Sequence, residues 1–248
     1  MLREVRFLSM GSCLIDRSQL VTGDPVGEVW HIPIWAYLLR GDDGVLLVDS
    51  GMPEGCIGNE RFFGEMAPEE LILPQMTADD RIDRVLARQG LILADLDGFI
   101  TTHGHFDHAG GSARLRGCPA LIHPAELAAL RGDPEPPPWL DLDRDFEPAP
   151  DGMRPMDGVT VVHTPGHTPG HLSLLLEPQG RQPILLTVDA VYTRRNWELD
   201  IPGAMLDPAV GRQSVGRLRE IAARSGAAVF FGHDPEQWRD AAWQQHLA

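Results

Sequence analysis

The most informative absence from the chain is lysine. The 248-residue sequence has 21 basic side chains, and every one of them is arginine. Mechanisms that need a lysine amine, such as Schiff-base chemistry, a Ser-Lys dyad or a phosphate-binding loop with its lysine, are therefore excluded. Acidic residues number 36 and give a net charge of −15. Because such a chain would repel a phosphate backbone, we expect no nucleic-acid partner.

Cysteine is also scarce. Cys13, Cys56 and Cys118 are widely spaced and form no C-x-x-C pair, so neither a disulfide framework nor a thiolate zinc site is predicted. Long apolar runs are missing too. The first residues carry charges where a signal peptide needs its apolar segment, and no run is long enough for a membrane span. We therefore expect a cytoplasmic protein with no membrane partner.

Two common active-site motifs are absent as well. No G-x-G-x-x-G follows a strand and no G-x-S-x-G is present, which argues against a dinucleotide-binding fold and an α/β-hydrolase. Hydrophobic residues make up 43% of the chain, which is ordinary for a globular protein. A chain of this length buries enough apolar surface for one domain, and we predict a single domain over 1–248.

Strand and helix signals alternate along the chain. Strands are predicted at 3–9, 33–40, 45–49, 97–102, 120–123, 158–163, 171–177, 183–188 and 227–231. Helices are predicted after Thr77, between Pro124 and Gly132, and after Asp207. Two β-rich blocks that each carry helices indicate an α/β fold, specifically a sandwich with helices outside and a site at the strand ends.

Two long segments lie between these elements. Residues 51–76 are interpreted either as a loop folded on the core or as a wall over a site, since loops of this length are often functional. Residues 133–155 are rich in proline and acidic side chains, which favours a solvated surface segment.

Four potential metal ligands lie within six residues directly behind the apolar strand at 97–102. They are His103, His105, Asp107 and His108, spaced as H-x-H-x-D-H. Imidazole and carboxylate suit borderline divalent metals, and this spacing lets side chains point two ways from one tight loop. The cluster therefore indicates a site for two ions.

Three further potential ligands stand where later apolar runs stop, namely His167, Asp189 and His233. Strand ends can bring residues from distant parts of a sequence to one rim of a sheet. Seven ligands for two divalent ions are thus predicted, with one carboxylate able to bridge them.

This set of residues resembles the ligand motif of the metallo-β-lactamase superfamily, and within it the chain is most similar to the N-acyl-homoserine lactonases. The similarity extends over almost the whole chain, including residues 48–54, 72–82, 105–111, 189–193 and 230–237. The resemblance implies an αββα sandwich with a dinuclear metal site. It also implies a metal-dependent hydrolase that opens the lactone ring of N-acyl-homoserine lactones, the reaction of quorum quenching.

Individual roles follow from the same resemblance. One ion would be held by His103, His105 and His167, a second by Asp107, His108 and His233, and Asp189 would bridge both. A hydroxide between the ions would attack the lactone carbonyl. Tyr192 would hydrogen-bond the carbonyl oxygen, and Asp107 would also pass a proton to the leaving alkoxide. We expect Zn²⁺, although the ligand set would accept Co, Mn or Fe.

The acyl chain of such a small-molecule lactone needs an apolar wall. Apolar character and position nominate Trp30, Ile34, Trp35, Phe62, Phe63, Met66, Phe106 and Met205. Met205 lies in a stretch, 201–205, where the chain departs from the lactonases, so the preferred chain length stays open. The protein is expected to be a monomer or a homodimer.

Several alternatives remain open at this stage. His163 and His171 are interpreted as packed residues or as partners of a ligand, and Asp49 either braces a metal-binding histidine or ends a strand. Another lactonase and a thioester hydrolase of the glyoxalase II kind are rival functions on the same fold. Few residues follow His233, which disfavours glyoxalase II because that enzyme carries a further helical domain. A non-catalytic metal-binding module is the remaining alternative.

Overall fold

The computed structural model describes residues 1–240 together with Trp243 and His246. In this part of the chain, the strands form one seven-stranded and one four-stranded sheet. The first sheet contains β1 (Leu2–Asp16), β2 (Val29–Gly41), β3 (Gly44–Val48), β4 (Ile72–Gln75), β5 (Gly98–Thr101), β6 (Ala120–Ile122) and β7 (Phe146–Pro148). The second contains β8 (Val159–His163), β9 (Leu172–Leu176), β10 (Ile184–Val188) and β11 (Ala228–Phe231).

The first sheet is mixed and has the order β4-β1-β2-β3-β5-β6-β7. The strands predicted at 33–40 and 45–49 correspond to β2 and β3, which pair as an antiparallel hairpin. β1 is longer than predicted because a register shift between Ser9 and Ser12 interrupts the alternation of side chains without ending the strand. β4 then pairs with the far end of β1.

The second sheet has the order β11-β10-β9-β8, with β10 and β11 parallel and the other pairs antiparallel. Its four strands lie within one residue of the predicted bounds. The apolar core between the two sheets includes Phe7, Trp35, Tyr37, Val48, Ile100, Leu174, Leu186 and Phe230. Successive side chains of a strand point to opposite faces, so each sheet has a second apolar face that needs a cover.

Helices cover those outer faces. The helices are α1 (Arg17–Leu20), α2 (Ile82–Arg88), α3 (Phe106–Ala109), α4 (Pro124–Gly132), α5 (Arg194–Leu199) and α6 (Pro208–Ser225). α2 buries Val85 and Leu86 against the first sheet, and α6 buries Val215 and Leu218 against the second. The predicted αββα sandwich is confirmed. Within the described residues, no helix has the length and apolarity required to traverse a bilayer.

Some local predictions were wrong. The spacing of apolar residues after Thr77 predicts Ile92 on the inner face of the helix, but Ile92 is 65% exposed because α2 ends at Arg88. The segment 51–76 contains β4, and the segment 133–155 contributes β7 to the edge of the first sheet. Short edge strands such as these are specified by pairing with distant residues, which local patterns do not reveal.

Leu174 tests the packing between the sheets, because it is fully buried there. Leu174→Ala should lower the free energy of unfolding by about 2–5 kcal/mol through lost burial and the cavity left behind. Leu199, which is 57% exposed on α5, is the control, and Leu199→Ala should change stability by less than about 0.5 kcal/mol. Denaturant unfolding of both variants measures the difference, and equal losses would contradict this assignment of the core.

Candidate metal centre

The seven potential ligands meet at one rim of the sandwich, where strands end. His103 comes two residues after β5, Asp189 directly follows β10, and His233 comes two residues after β11. His167 lies in the loop between β8 and β9, and the short helix α3 carries the Asp-His pair of the H-x-H-x-D-H motif. Six of the seven side chains are buried, and His105 is the exposed one. Sheet topology thus assembles ligands that are far apart in sequence.

Three histidines form the first half of the site. The Nε2 atom of His167 lies 3.1 Å from Nε2 of His103 and 2.9 Å from Nδ1 of His105. A proton on one ring could satisfy only one of these pairs. A divalent cation would satisfy the nitrogen lone pairs together, so the group fits an ion with imidazole ligands.

Asp107, His108 and His233 form the second half. One oxygen of Asp107 lies 3.6 Å from Nε2 of His108 and 3.5 Å from Nε2 of His233. The grouping is the one that the family resemblance implied.

Asp189 stands between the two halves and turns one oxygen to each. Its Oδ1 lies 3.3 Å from Nε2 of His108 and 3.1 Å from Nε2 of His233. Its Oδ2 lies 3.3 Å from Nε2 of His167 and 3.6 Å from Nε2 of His103. A carboxylate in this position can contribute a ligand to two ions at once.

Outer hydrogen bonds orient the imidazoles so that their remaining nitrogens point inward. His108 Nδ1 donates to Asp49 at 2.8 Å, His167 Nδ1 to the Ala204 carbonyl at 3.0 Å, and His233 Nδ1 to the Pro33 carbonyl at 2.9 Å. Such partners fix the tautomer and strengthen metal ligation. Asp49 thus holds a candidate ligand, as one of its two interpretations predicted, and it also directly follows β3.

The ligand set itself indicates a cation. His108 Nε2 and Asp189 Oδ1 are buried and make no hydrogen bond to any described residue. Although His105 keeps an exposed edge, desolvation of its imidazole inside the site and the neighbouring His167 imidazole lower its pKa to about 3. Burial lowers the pKa of His103. Both imidazoles are neutral at pH 7, as metal ligation requires. The groups fit a dinuclear divalent metal site.

Backbone strain at the end of β10 points Asp189 into the site. Val188 has φ of 48°, a left-handed conformation that a β-branched residue rarely adopts. Gly232 lies so close to this turn that an added Cβ would be 2.6 Å from the Val188 carbonyl oxygen. The absence of a side chain there allows the ends of β10 and β11 to place Asp189 beside His233.

Tyr192 reaches the same rim from the segment after β10. Its hydroxyl donates to the Ala204 carbonyl at 3.1 Å and lies 3.0 Å from Nδ1 of His167. Burial, together with the Asp189 and Asp107 carboxylates, raises the pKa of Tyr192 well above its usual value. The phenol is therefore a neutral hydrogen-bond donor at the edge of the site.

A cavity of about 150 Å³ opens onto these groups. Its polar floor includes His105, Asp107, Asp189 and Tyr192. Its apolar wall includes Phe106, which was nominated from the sequence, and also Ile15, Leu20, Ile32 and Ile72, which were not. The latter lie on β1, α1, β2 and β4, and their position at the rim depends on the long-range pairing of β1 with β4.

Phenylalanines from the segment 51–76 extend this wall. The Phe63 ring lies 4.8 Å from the Phe106 ring and 5.0 Å from the Phe62 ring. Met66 is half-buried in the same segment. Both interpretations of the segment therefore hold in part, since Ile72 lines the cavity and Phe62 packs against the apolar core.

Four of the nominated substrate contacts lie elsewhere and are corrected. Ile34 and Trp35 are 0% and 2% exposed, because β2 is an interior strand with both faces packed in the core. Trp30 lines a different cavity of about 620 Å³ under the Arg17 guanidinium. Met205 packs on Gly211 of α6, and its neighbour Ala204 lines the ligand cavity instead.

Two further buried residues contact the ligand loops. His171 accepts the Asp189 backbone N–H at 3.1 Å through its Nε2 atom, which agrees with its interpretation as a partner of a ligand. Glu126 contacts the loops on either side of it and carries no local motif that would reveal this. His163 lies outside the site, stacked on His123 at 3.8 Å.

Comparison with known families supports the same conclusion from the whole chain. The model of the metallo-beta-lactamase superfamily matches residues 30–233, a range that contains all seven ligands. The chain belongs to the metallo-β-lactamase superfamily. The resemblance recognised in the sequence motifs is confirmed.

Members of this superfamily with assigned activities are similar over nearly their full length. An N-acyl homoserine lactonase from a Bacillus species is 39% identical, with 96% of this chain and 95% of the relative covered. A structure of B. thuringiensis AiiA, a mutant with N-decanoyl-L-homoserine bound at the active site, has a TM-score of 0.89 and 35% identity, with 96% of each chain covered.

A second superfamily structure is an N-acyl homoserine lactone hydrolase with N-hexanoyl-L-homoserine bound at its catalytic metal centre. It superposes on this chain with a TM-score of 0.88 at 36% identity, and 96% of each chain is covered.

Asp49 provides a test of the second half of the site. Asp49→Asn should lower the affinity for the ion held by Asp107, His108 and His233 by about 10- to 100-fold, because His108 loses its charged acceptor. Chelator competition on metal-loaded protein measures the affinity. Asp97→Asn is the control, since that carboxylate accepts a hydrogen bond from Val45 far from the ligands. Unchanged affinity in Asp49→Asn would show that the contact does not support ligation.

Proposed function

We propose that the protein is a metal-dependent N-acyl-homoserine lactonase. The proposal rests on one cavity. Members of both ligand groups line it together with Asp189 and Tyr192, and apolar side chains form the rest of its wall. The full-length similarity to proteins named N-acyl homoserine lactonase supports the same substrate.

The metal ions are proposed to be Zn²⁺, with Co, Mn or Fe as other ions that a nitrogen and oxygen ligand set accepts. His103, His105 and His167 would hold one ion, Asp107, His108 and His233 the other, and Asp189 both. Two bound divalent ions would supply an activated water at neutral pH and would polarise the lactone carbonyl.

Tyr192 and Asp107 would act on the two oxygens of the ester. The neutral Tyr192 phenol would donate a hydrogen bond to the carbonyl oxygen as negative charge develops there. Asp107, whose carboxylate lies on the cavity wall, would carry a proton to the ring oxygen as the bond between that oxygen and the carbonyl carbon breaks. Water thus adds across the ester bond, and the product is the open-chain N-acyl-homoserine.

The acyl chain would lie along the apolar wall. Phe106 lines the cavity directly and Phe63 packs on its ring. Phe62 and Met66 belong to the same segment and would contribute behind them. We infer that this apolar wall determines the preferred chain length.

A substrate panel tests the proposal. Metal-loaded protein is incubated at neutral pH with N-acyl-homoserine lactones of several chain lengths and with an open-chain thioester, each with and without a chelator. Acid release from the lactones that the chelator abolishes is the expected result. Turnover of the thioester alone would favour a thioester hydrolase, and no metal-dependent acid release would contradict the function altogether.

Tyr192 tests the mechanism. Tyr192→Phe should lower kcat on the order of 100-fold, the effect of removing one donor to a developing oxyanion. Metal content should stay unchanged because Tyr192 is not a ligand. Tyr37, the other tyrosine of the chain, is buried between the sheets, and Tyr37→Phe is the matched control with unchanged kcat. Full turnover by Tyr192→Phe would remove the hydroxyl from the mechanism.

A further inference from the structure

Glu126 is a buried carboxylate for which the proposed reaction has no use. It is 2% exposed, and it is the third residue of α4. The helix carries none of the seven potential ligands. Among the described residues, no cationic side chain pairs with Glu126. Burying an acidic group without a counter-ion costs free energy, so its hydrogen-bond partners must compensate.

Those partners come from both histidine loops. Glu126 Oε1 accepts the backbone N–H of Gly104 at 2.9 Å, between the first two histidines of the H-x-H-x-D-H motif. Glu126 Oε2 accepts the Thr168 hydroxyl at 2.7 Å and the Gly170 N–H at 2.9 Å, directly after His167. One side chain therefore joins the two segments that carry His103, His105 and His167.

Close packing keeps this connection rigid. A Cβ added to Gly170 would be 2.1 Å from the Glu126 backbone nitrogen, so the loop after His167 lies directly on the first turn of α4. The positive end of the helix dipole also favours a carboxylate in that first turn. Neither loop can move away from the other without breaking a hydrogen bond to Glu126.

We propose that Glu126 is a positioning residue that sets the spacing between the two loops and thereby makes the pocket for the ion held by His103, His105 and His167. The inference rests on the metal centre proposed above. Glu126 makes no hydrogen bond to a ligand nitrogen and does not line the cavity over Asp107 and Asp189. It would therefore affect this ion only through the two histidine loops that it joins.

The effect is specific to one half of the centre. His108 is held by Asp49 and His233 by the Pro33 carbonyl, and both contacts are independent of α4. Loss of the Glu126 hydrogen bonds should therefore weaken binding of one ion and leave binding of the other unchanged. A carboxylate that merely stabilises the fold would affect both ions together.

Glu126→Gln is the sharpest variant because it keeps the shape of the side chain. Its amide NH₂ would face either the Gly104 N–H or the Gly170 N–H, so one loop would lose its acceptor. Thr168→Val removes a donor with little change in shape and should act in the same direction. Thr168→Ser keeps the hydroxyl and should behave as the wild-type protein.

The experiment titrates metal-free protein with Co²⁺, using visible absorption and chelator competition to count and rank the bound ions. We expect two ions in the wild-type protein. In Glu126→Gln one ion should bind with wild-type affinity, and the affinity for the other should fall by about 10- to 100-fold. Combining Glu126→Gln with Asp49→Asn should weaken binding of both ions, because Asp49 holds His108 directly whereas Glu126 holds the loops that carry the other group of histidines.

Leu86→Ala separates loss of stability from loss of metal, since Leu86 is fully buried on α2 away from the ligands. It should lower the unfolding temperature and leave both ions bound. Wild-type affinity for both ions in Glu126→Gln, or equal weakening of the two, would overturn the positioning role while leaving the proposed function intact. A wild-type protein that binds no pair of ions would overturn both.

Discussion

The Asp189 carboxylate, placed between two groups of imidazoles, is the constraint on which the rest of the centre depends. A buried charge is stable only when compensating groups surround it, and here each oxygen faces nitrogens from a different group. The two halves come from loops at the ends of several strands, so the sheets must fix their relative positions. The left-handed Val188 and the side-chain-free Gly232 direct the end of β10 toward that point.

Hydrogen bonds to surrounding residues orient the imidazoles so that their free nitrogens can bind metal. Asp49, the Pro33 carbonyl and the Ala204 carbonyl each accept a hydrogen bond from an imidazole and so point its other nitrogen inward. His171 holds the Asp189 backbone N–H, and Glu126 joins the two loops of the first half. Each brace comes from an element remote in sequence from the ligand that it orients.

The candidate ligands could be predicted from the sequence, whereas most of the residues that surround and orient them could not. The H-x-H-x-D-H motif and the ends of apolar runs identify ligands because metal chemistry restricts residue type and spacing, and strong strands of the second sheet are visible from their apolar runs. The cavity wall could not be read in this way. Ile15 and Ile72 face the site only because β1 continues past a register shift and pairs with β4, whereas Trp35 looks like a wall residue but is buried between the sheets. Glu126 was missed for the same reason, since its role exists only in the folded contacts.

Anomalous X-ray diffraction from zinc-loaded crystals tests whether two ions share Asp189, as we propose. We expect two anomalous peaks, one among His103, His105 and His167 and the other among Asp107, His108 and His233, with one Asp189 oxygen directed to each. A single peak, or two peaks with Asp189 contacting only one ion, would contradict it.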